Sequence, residues 1–534
     1  MANPLINSGD AVLVVYFNYM IQIKERGKNK QLAINMFASM VTFAVGLGIR
    51  FGLTPYIVRT LGPEAYGFVG LASNILSYTG LITVALNSMA GRFITINYVE
   101  GHIDAANKYF SSVFFSNIIL AFIILLFSIG CVIWLEYLIN IPNVLIFDVK
   151  LLFSLLALNN VIGLVANVWC TATFIKNRLD LSNIQGIIGN LLNATILICL
   201  FSCFAPHIWY MGAAGLVLTI YTVLVNKKFS TILTPELKIN RANYDFTKVV
   251  ELLKSGMWNL ISKLGDILGQ GLDLLIANLC IGSIAMGYFA MTKNVPFLIL
   301  SLFSTISGVF SPMLTSLYAE NKIEELLNEF FKSIRILSFI VSIPLACLYV
   351  YGDSFYHLWL PTEDSSKLQM LTVLGTFALP FTLPLESLWN IFTITNKLKY
   401  STLLMLGNNI IVFGIVMFSM LVTDLPDTRL VILACTRSLV GIVRGIVFLP
   451  LYGAYCLGVS KWVFFNILGK SIGCQALCIG TCFCLRWFYA ADTWMSLILA
   501  GLLISLICLS ICSMLILTKN DRKVLKEKLL RIHA

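Results

Sequence analysis

Charge is what this sequence has least of. Asp, Glu, Lys and Arg make up 12% of its 534 residues, and the acidic share is the smaller, 26 against 37 basic. A soluble globule of this length needs a polar skin, so this scarcity excludes one. Histidine is rarer still. Its four copies, His102, His207, His357 and His533, lie far apart in sequence and suggest no catalytic or metal-binding constellation. No GxxxxGK[ST] loop is present, which argues against ATP hydrolysis by this chain. Among the 14 cysteines there is no CxxC pair; Cys474, Cys478 and Cys482 recur at helical spacing within an apolar segment. They read as small packing residues, so neither a metal cofactor nor a disulfide is expected. The basic residues are dispersed without interleaved aromatics, which excludes a nucleic-acid partner.

What the chain has in abundance is apolar length. Hydrophobic residues make up 58% of it, and mean hydropathy is +0.87. Crossing about 30 Å of hydrocarbon at about 1.5 Å per residue takes about 20 residues, and about fourteen segments of that kind can be marked out. The expected fold is therefore all-α and polytopic, with the lipid bilayer as its surroundings. Six segments fall within 31–225, a polar connector occupies 226–255, six more lie within 256–458 and two within 459–517. Residues 1–30 form an N-terminal segment whose apolar stretch, 11–23, is too short to span, and 518–534 form a basic tail. Ile323, Leu326, Leu327, Phe330 and Phe331 share one face of a helical pattern at 321–335, as an interfacial linker would.

The basic residues collect on alternate loops, Lys176, Arg178, Lys227, Lys228 and Lys322 among them, while the opposite loops hold Arg59, Lys150, Lys367, Arg429 and Arg486. The asymmetry is roughly five to one and places both termini in the cytoplasm. An even number of spans per half makes the halves parallel repeats about an axis along the membrane normal, with a cavity between them. The repeat is visible in Arg50 to Asn74, RFGLTPYIVRTLGPEAYGFVGLASN. Its Gly62, Ala65, Gly67 and Asn74 recur 220 residues later as Gly282, Ala285, Gly287 and Asn294, again at a turn between apolar segments.

An intramembrane charge costs about 3 kcal/mol on insertion scales, so each one is paired, near an end, or facing water. The segment 256–278 sets Lys263, Asp266, Gln270 and Asp273 along one stripe of one helix. In the first span Asn35, Ser39, Thr42, Gly46 and Arg50 form a second polar stripe, and Asn74 and Asn294 add amides at the repeated turns. Lys293, about ten residues into the eighth span, is too deep to snorkel, while Arg437 and Arg444 share a face seven residues apart. The candidate substrate-binding cations are Arg50, Lys263, Lys293, Arg437 and Arg444; Asp266 and Asp273 are candidates for coupling Na⁺ or H⁺. Lys293 has two readings, contact with an anionic substrate or pairing with Asp266 or Asp273. Asp424 and Asp427 in VTDLPDTR suit a turn as well as the acidic pair of a membrane glycosyltransferase.

TPYIVRTLGPEAYGFVGLASN, followed by NSMAGRFITINYVEGHIDAANKYFSS, resembles polysaccharide-type members of the multidrug, oligosaccharidyl-lipid and polysaccharide exporter superfamily, to which the O-antigen and capsule-unit flippases belong. The resemblance is specific over about 33–115 and general over nearly the whole chain. It implies two six-helix bundles around a cationic cavity and the flipping of a polyprenyl-diphosphate-linked oligosaccharide across the bacterial cytoplasmic membrane. Other polysaccharide-assembly membrane proteins are implied as partners. Asp266 and Asp273 depart from the most cationic members, which keeps a cation-coupled drug exporter open as an alternative; a membrane glycosyltransferase or polymerase is the third reading.

Overall fold

The structure, a computed structural model, describes residues 28–176, 178–267, 272–395 and 397–516. Among these every regular element is helical. The first half contains α1 (Lys28–Val99), α2 (Ile103–Ile133), α3 (Ile146–Ala166), α4 (Leu179–Cys203) and α5 (Tyr210–Leu233). The second contains α6 (Phe246–Asp266), α7 (Asp273–Cys280), α8 (Ser283–Thr292), α9 (Asn294–Ala319), α10 (Ile323–Trp359), α11 (Ser365–Thr376), α12 (Leu398–Val422), α13 (Pro426–Val443) and α14 (Leu449–Leu457). Two further helices, α15 (Phe465–Phe488) and α16 (Trp494–Leu515), close the described chain. The apolar stretch 11–23 and the basic tail 518–534 lie outside the described residues.

Among the described residues twelve runs of helix are long and apolar enough to cross a membrane, against about fourteen expected, and two places account for the difference. The first is α1, which counts once although its 72 residues would extend about 108 Å if straight. It is two limbs meeting at Gly62, whose backbone (φ 83°, ψ 164°) lies in a region open to glycine and costly for other residues. Gly282, its counterpart between α7 and α8, has φ 142° and ψ 167°. The second is the segment 256–278, whose described parts, α6 ending at Asp266 and α7 beginning at Asp273, are each too short or too polar to count as a span. Residues 268–271 between them lie outside the described residues.

The apolar face at 323–331 is also placed differently from expectation. It forms the first turns of the 37-residue α10, with Leu326 and Phe330 fully buried against Leu385, Leu388 and Phe464. Burial in a protein core takes the place of the interfacial position, because α10 runs on from this face into its membrane-spanning part and kinks only near its other end, at Tyr351.

Within the first half, amides join the helices. Asn87 and Asn117 exchange side-chain hydrogen bonds at 2.9 and 3.0 Å, and Asn160 donates to Thr79 at 2.9 Å. The connector is tied to α2. Asn107 accepts from Lys238 N–H (2.7 Å), Ser112 accepts from Asp245 N–H (2.9 Å), and the Tyr109 hydroxyl donates to Glu251 (2.7 Å).

The second limb of α1 is the strut between the halves. Near the Gly62 and Gly282 turns it meets α8 so closely that a Cβ on Gly67 would stand 2.9 Å from the Gly287 Cα, and one on Gly287 would stand 2.6 Å from the Pro63 carbonyl carbon. Further along the limb, a Cβ on Gly256 of α6 would collide with the Ala85 carbonyl, and Asn259 donates to Ser88 at 3.1 Å. Ala65, Phe68 and Leu71 share one buried cluster with Leu274, Met286 and Phe289, so apolar packing joins the two halves along this limb.

Candidate functional site

Three charged side chains from separate elements meet at Asp273. Lys293 Nζ lies 2.8 Å from its Oδ2, while Arg437 reaches it twice, NH1 to Oδ2 at 2.8 Å and NH2 to Oδ1 at 3.0 Å. Each element has a local reason for its place. Asp273 opens α7, where a carboxylate suits the positive end of the helix dipole. Lys293 sits at the break between α8 and α9, where Pro296 has no N–H to give the Thr292 carbonyl. Arg437 lies on α13, eleven residues past Pro426, which begins that helix.

At about 1.5 Å per residue, Asp273 and Lys293 lie about 14 and 17 Å from the Gly282 turn, and Arg437 about 17 Å from the start of α13. These are mid-depth positions for about 30 Å of hydrocarbon. The Asp273 side chain is 12% exposed and those of Lys293 and Arg437 are each 32% exposed, so the cations stand in front and the carboxylate behind. Two cations and one anion leave a net charge of +1.

Arg50 lies on the opposite half, its guanidinium 5.4 Å from the Phe297 ring centroid. With Thr54, Asn294, Phe297 and Trp359 it lines a small recess beginning one residue from Lys293. Asn294 Nδ2 donates to the Tyr66 hydroxyl at 3.1 Å, and Trp359 Nε1 donates to the Phe51 carbonyl at 2.9 Å, both linking one half to the other. Ser283 also donates to Glu64 across the halves. Tyr66, Phe51, Glu64 and Trp359 were not singled out in the sequence. The repeat register pointed to their neighbourhood without identifying which side chains cross it.

The remaining candidates are distributed differently. Arg444 begins a π-helical turn, Arg444–Phe448, ahead of Pro450, 6.0 Å from the Trp389 ring centroid and within electrostatic reach of Glu386 and Arg437. Lys263 is half-buried in the last turn of α6, Asp266 ends that helix, and Gln270 lies outside the described residues. Asn74 is half-buried on the second limb of α1. The first-span stripe largely faces α4: Asn35 is buried and accepts from Asp180 N–H at 3.0 Å, Asn183 donates to Ser39 at 2.8 Å, and Thr42 donates to the Asn183 carbonyl at 3.1 Å. Asn35 thus serves as interhelical glue in place of the expected cavity lining, because a buried amide gains most from a partner that no water can replace.

An apolar cleft of about 260 Å³ opens between α9, α10 and α16, lined by Val295, Ile299, Leu348, Phe355, Leu497 and Ile504. It begins two residues from Lys293. Along the α10, α15 and α16 seam, Cys474 Sγ lies 3.1 Å and Cys478 Sγ 3.8 Å from Cys512 Sγ, all three buried among Ala346, Val350 and Ile504.

The polytopic helical fold with charged side chains between its helices is shared by solved membrane transporters. Similar solved structures include an inward-facing multidrug-resistance MATE family transporter of the MOP superfamily (TM-score 0.64, 16% identity, 80% of this chain and 97% of that one). The lipid II flippase MurJ in an inward closed conformation is another (TM-score 0.61, 15% identity, 90% and 99%). At these identities the likeness is one of fold. The chain belongs to the polysaccharide biosynthesis protein family, which it matches over residues 56–360, more than half its length. Its relatives include EpsK, an uncharacterized membrane protein of Bacillus subtilis (strain 168), 28% identical over 93% of this chain and 98% of EpsK. A Shigella flexneri protein provisionally named as an O-antigen transporter is 21% identical over 61% of this chain and 76% of its own length.

Proposed function

We propose that this chain carries a polyprenyl-diphosphate-linked oligosaccharide across the bacterial cytoplasmic membrane by alternating access, as a carrier and not an enzyme, for surface polysaccharide assembly. The observation that supports the reading most is the cationic site at mid-depth, where Lys293 and Arg437 share one carboxylate and Arg50 stands beside Asn294. A diphosphate is compensated by such cations in a low-dielectric space, and amides suit the sugar hydroxyls. The apolar cleft beginning at Val295 offers the polyprenyl chain a place beside the site. Both termini face the cytoplasm in this reading, and other polysaccharide-assembly membrane proteins are its partners. H⁺ or Na⁺ would couple at Asp273 or Asp266, binding one state more tightly than the other; full transport by Asp273→Asn without either ion gradient would remove Asp273 from that role.

The test is deletion of the gene in its own bacterium. Loss of surface glycan with accumulation of the lipid-linked precursor is expected, and mass analysis of that precursor identifies the sugars. Unchanged glycan with no accumulated precursor would overturn the reading. The fold likeness to multidrug transporters favours a second reading, a cation-coupled drug exporter. Organic cations call for a net acidic site, opposite in sign to this one, and drug sensitivity of the deletion strain separates the two. Sugar transfer by the purified protein would favour a glycosyltransferase instead.

A further inference from the structure

The cations of the site are not waiting unpartnered. Both terminal nitrogens of Arg437 point at Asp273, so the end-on edge of its guanidinium, one of the two that can grip an oxyanion bidentately, is already occupied. Lys293 holds the same carboxylate at 2.8 Å. Asp273 comes from a third element, α7, and lies behind the two cations, its side chain 12% exposed against 32% for each of theirs. An anion approaching from the open side meets Lys293 and Arg437 first, but one negative charge already offsets one of their two positive charges. A diphosphate carrying two charges is fully compensated by Lys293 and Arg437 alone only if Asp273 gives way.

We propose that Asp273 is the resident anion of the substrate site, holding Lys293 and Arg437 while the site is empty, yielding both to an arriving diphosphate, and recapturing them to expel it. The inference rests on the carrier reading and deepens it. Asp273 is then a positioning residue that never touches substrate and exchanges places with it. No covalent step is involved. The exchange explains how a site cationic enough to bind a diphosphate in a low-dielectric space also lets it go, since the competing anion is built in and cannot diffuse away. A structural Asp273 and a resident-anion Asp273 make opposite predictions about affinity. Loss of a structural group loosens the site, whereas loss of a competitor tightens it.

The experiment uses the full-length protein in lipid nanodiscs, with farnesyl diphosphate as the binding probe, and proteoliposomes for flipping of a fluorescent polyprenyl-diphosphate disaccharide. Asp273→Asn is expected to bind the probe about tenfold tighter than wild type, within the usual range of coupling between competing partners, while flipping more slowly because release is impaired. Lys293→Gln is expected to bind it more weakly. Should Asp273→Asn fail to fold, the charge-balanced double variant Lys293→Gln/Asp273→Asn decides, and is expected to bind more tightly than Lys293→Gln alone. Asp273→Asn that folds yet binds no more tightly than wild type overturns the inference and leaves the carrier reading standing. A double variant no tighter than Lys293→Gln does the same. Tighter binding with undiminished flipping overturns the release role. Wild-type protein that binds no farnesyl diphosphate overturns the carrier reading and this inference with it.

Discussion

Replacing Gly287 with alanine adds a single carbon at the closest approach of the two halves, where it would press on the backbone of Pro63 and Glu64. Backbone cannot rotate aside as the end of a side chain can, so the contact must open. Overpacking of this kind costs about 1–3 kcal/mol. Because the cost falls on the joined arrangement of α1 and α8 and vanishes when they part, it shifts the balance between joined and separated halves by about 5- to 150-fold. The shift is measurable with Ser283→Cys, whose side chain lies at this junction facing Glu64. Its alkylation by a membrane-impermeant maleimide, corrected for labelling of the native thiols, is expected to accelerate by that factor when Gly287→Ala is added. Gly407→Ala on α12, where a Cβ would meet nothing within 4 Å, is the control and is expected to leave the rate unchanged. An unaltered rate in a folded Gly287→Ala protein refutes the claim that the two glycines set how closely the halves approach.

Three further outcomes are expected. Lys293→Ala keeps Asp273 paired through Arg437, so the protein is expected to remain folded while flipping is lost; normal flipping by a well-folded Lys293→Ala protein in proteoliposomes ends its assignment to the substrate site. Trp359→Phe removes the donor to the Phe51 carbonyl while keeping an aromatic ring, and is expected to lower stability by about 1 kcal/mol, read from thermal unfolding in detergent. At the connector, the hydrogen bond from Tyr98 holds the Glu236 carboxyl below the usual glutamate range. A carboxyl with a depressed folded-state pKa contributes stability above its unfolded value and loses it as pH falls through the folded one. The connector should therefore dock less firmly below about pH 4.5, and Tyr98→Phe should weaken that dependence in hydrogen exchange of residues 236–240.

The membrane class and helical architecture follow from properties a sequence displays directly, runs of about 20 apolar residues and a shortage of charge. The turns at Gly62 and Gly282 were legible for a similar reason. A chain that must reverse between two apolar helices needs a residue free of a Cβ, and glycine at matching positions of a repeat marks it. Periodicity makes Lys263 to Asp273 a single stripe, of which the described residues place Lys263 on α6 and Asp273 on α7, with Gln270 between them outside the described residues. The site was legible in its members and in one of its pairings, Lys293 with Asp273, which the sequence leaves as one of two readings; the share Arg437 takes in it was not legible. Sequence depth singled out Lys293, but nothing in the spacing of residues 273, 293 and 437 says that their side chains meet, since that depends on how α7, α8 and α13 lean together. The first-span stripe shows the converse: intramembrane polarity that suggested a cavity is largely used up by the Asp180 backbone N–H and the Asn183 side chain of α4.

The second limb of α1 touches the other half at two levels, Gly67 against Gly287 and Ala85 against Gly256. Eighteen residues of helix, about 27 Å, separate them. A stiff rod held at two such points acts as a lever, and rocking it about a point between them frees one contact as it presses the other home. A continuous pore would need both contacts broken together, and no rocking of this rod produces that. If the chain is the carrier proposed above, the helix that joins the halves is thereby also a guard against ion leak, and a membrane holding the protein keeps its potential while cargo passes.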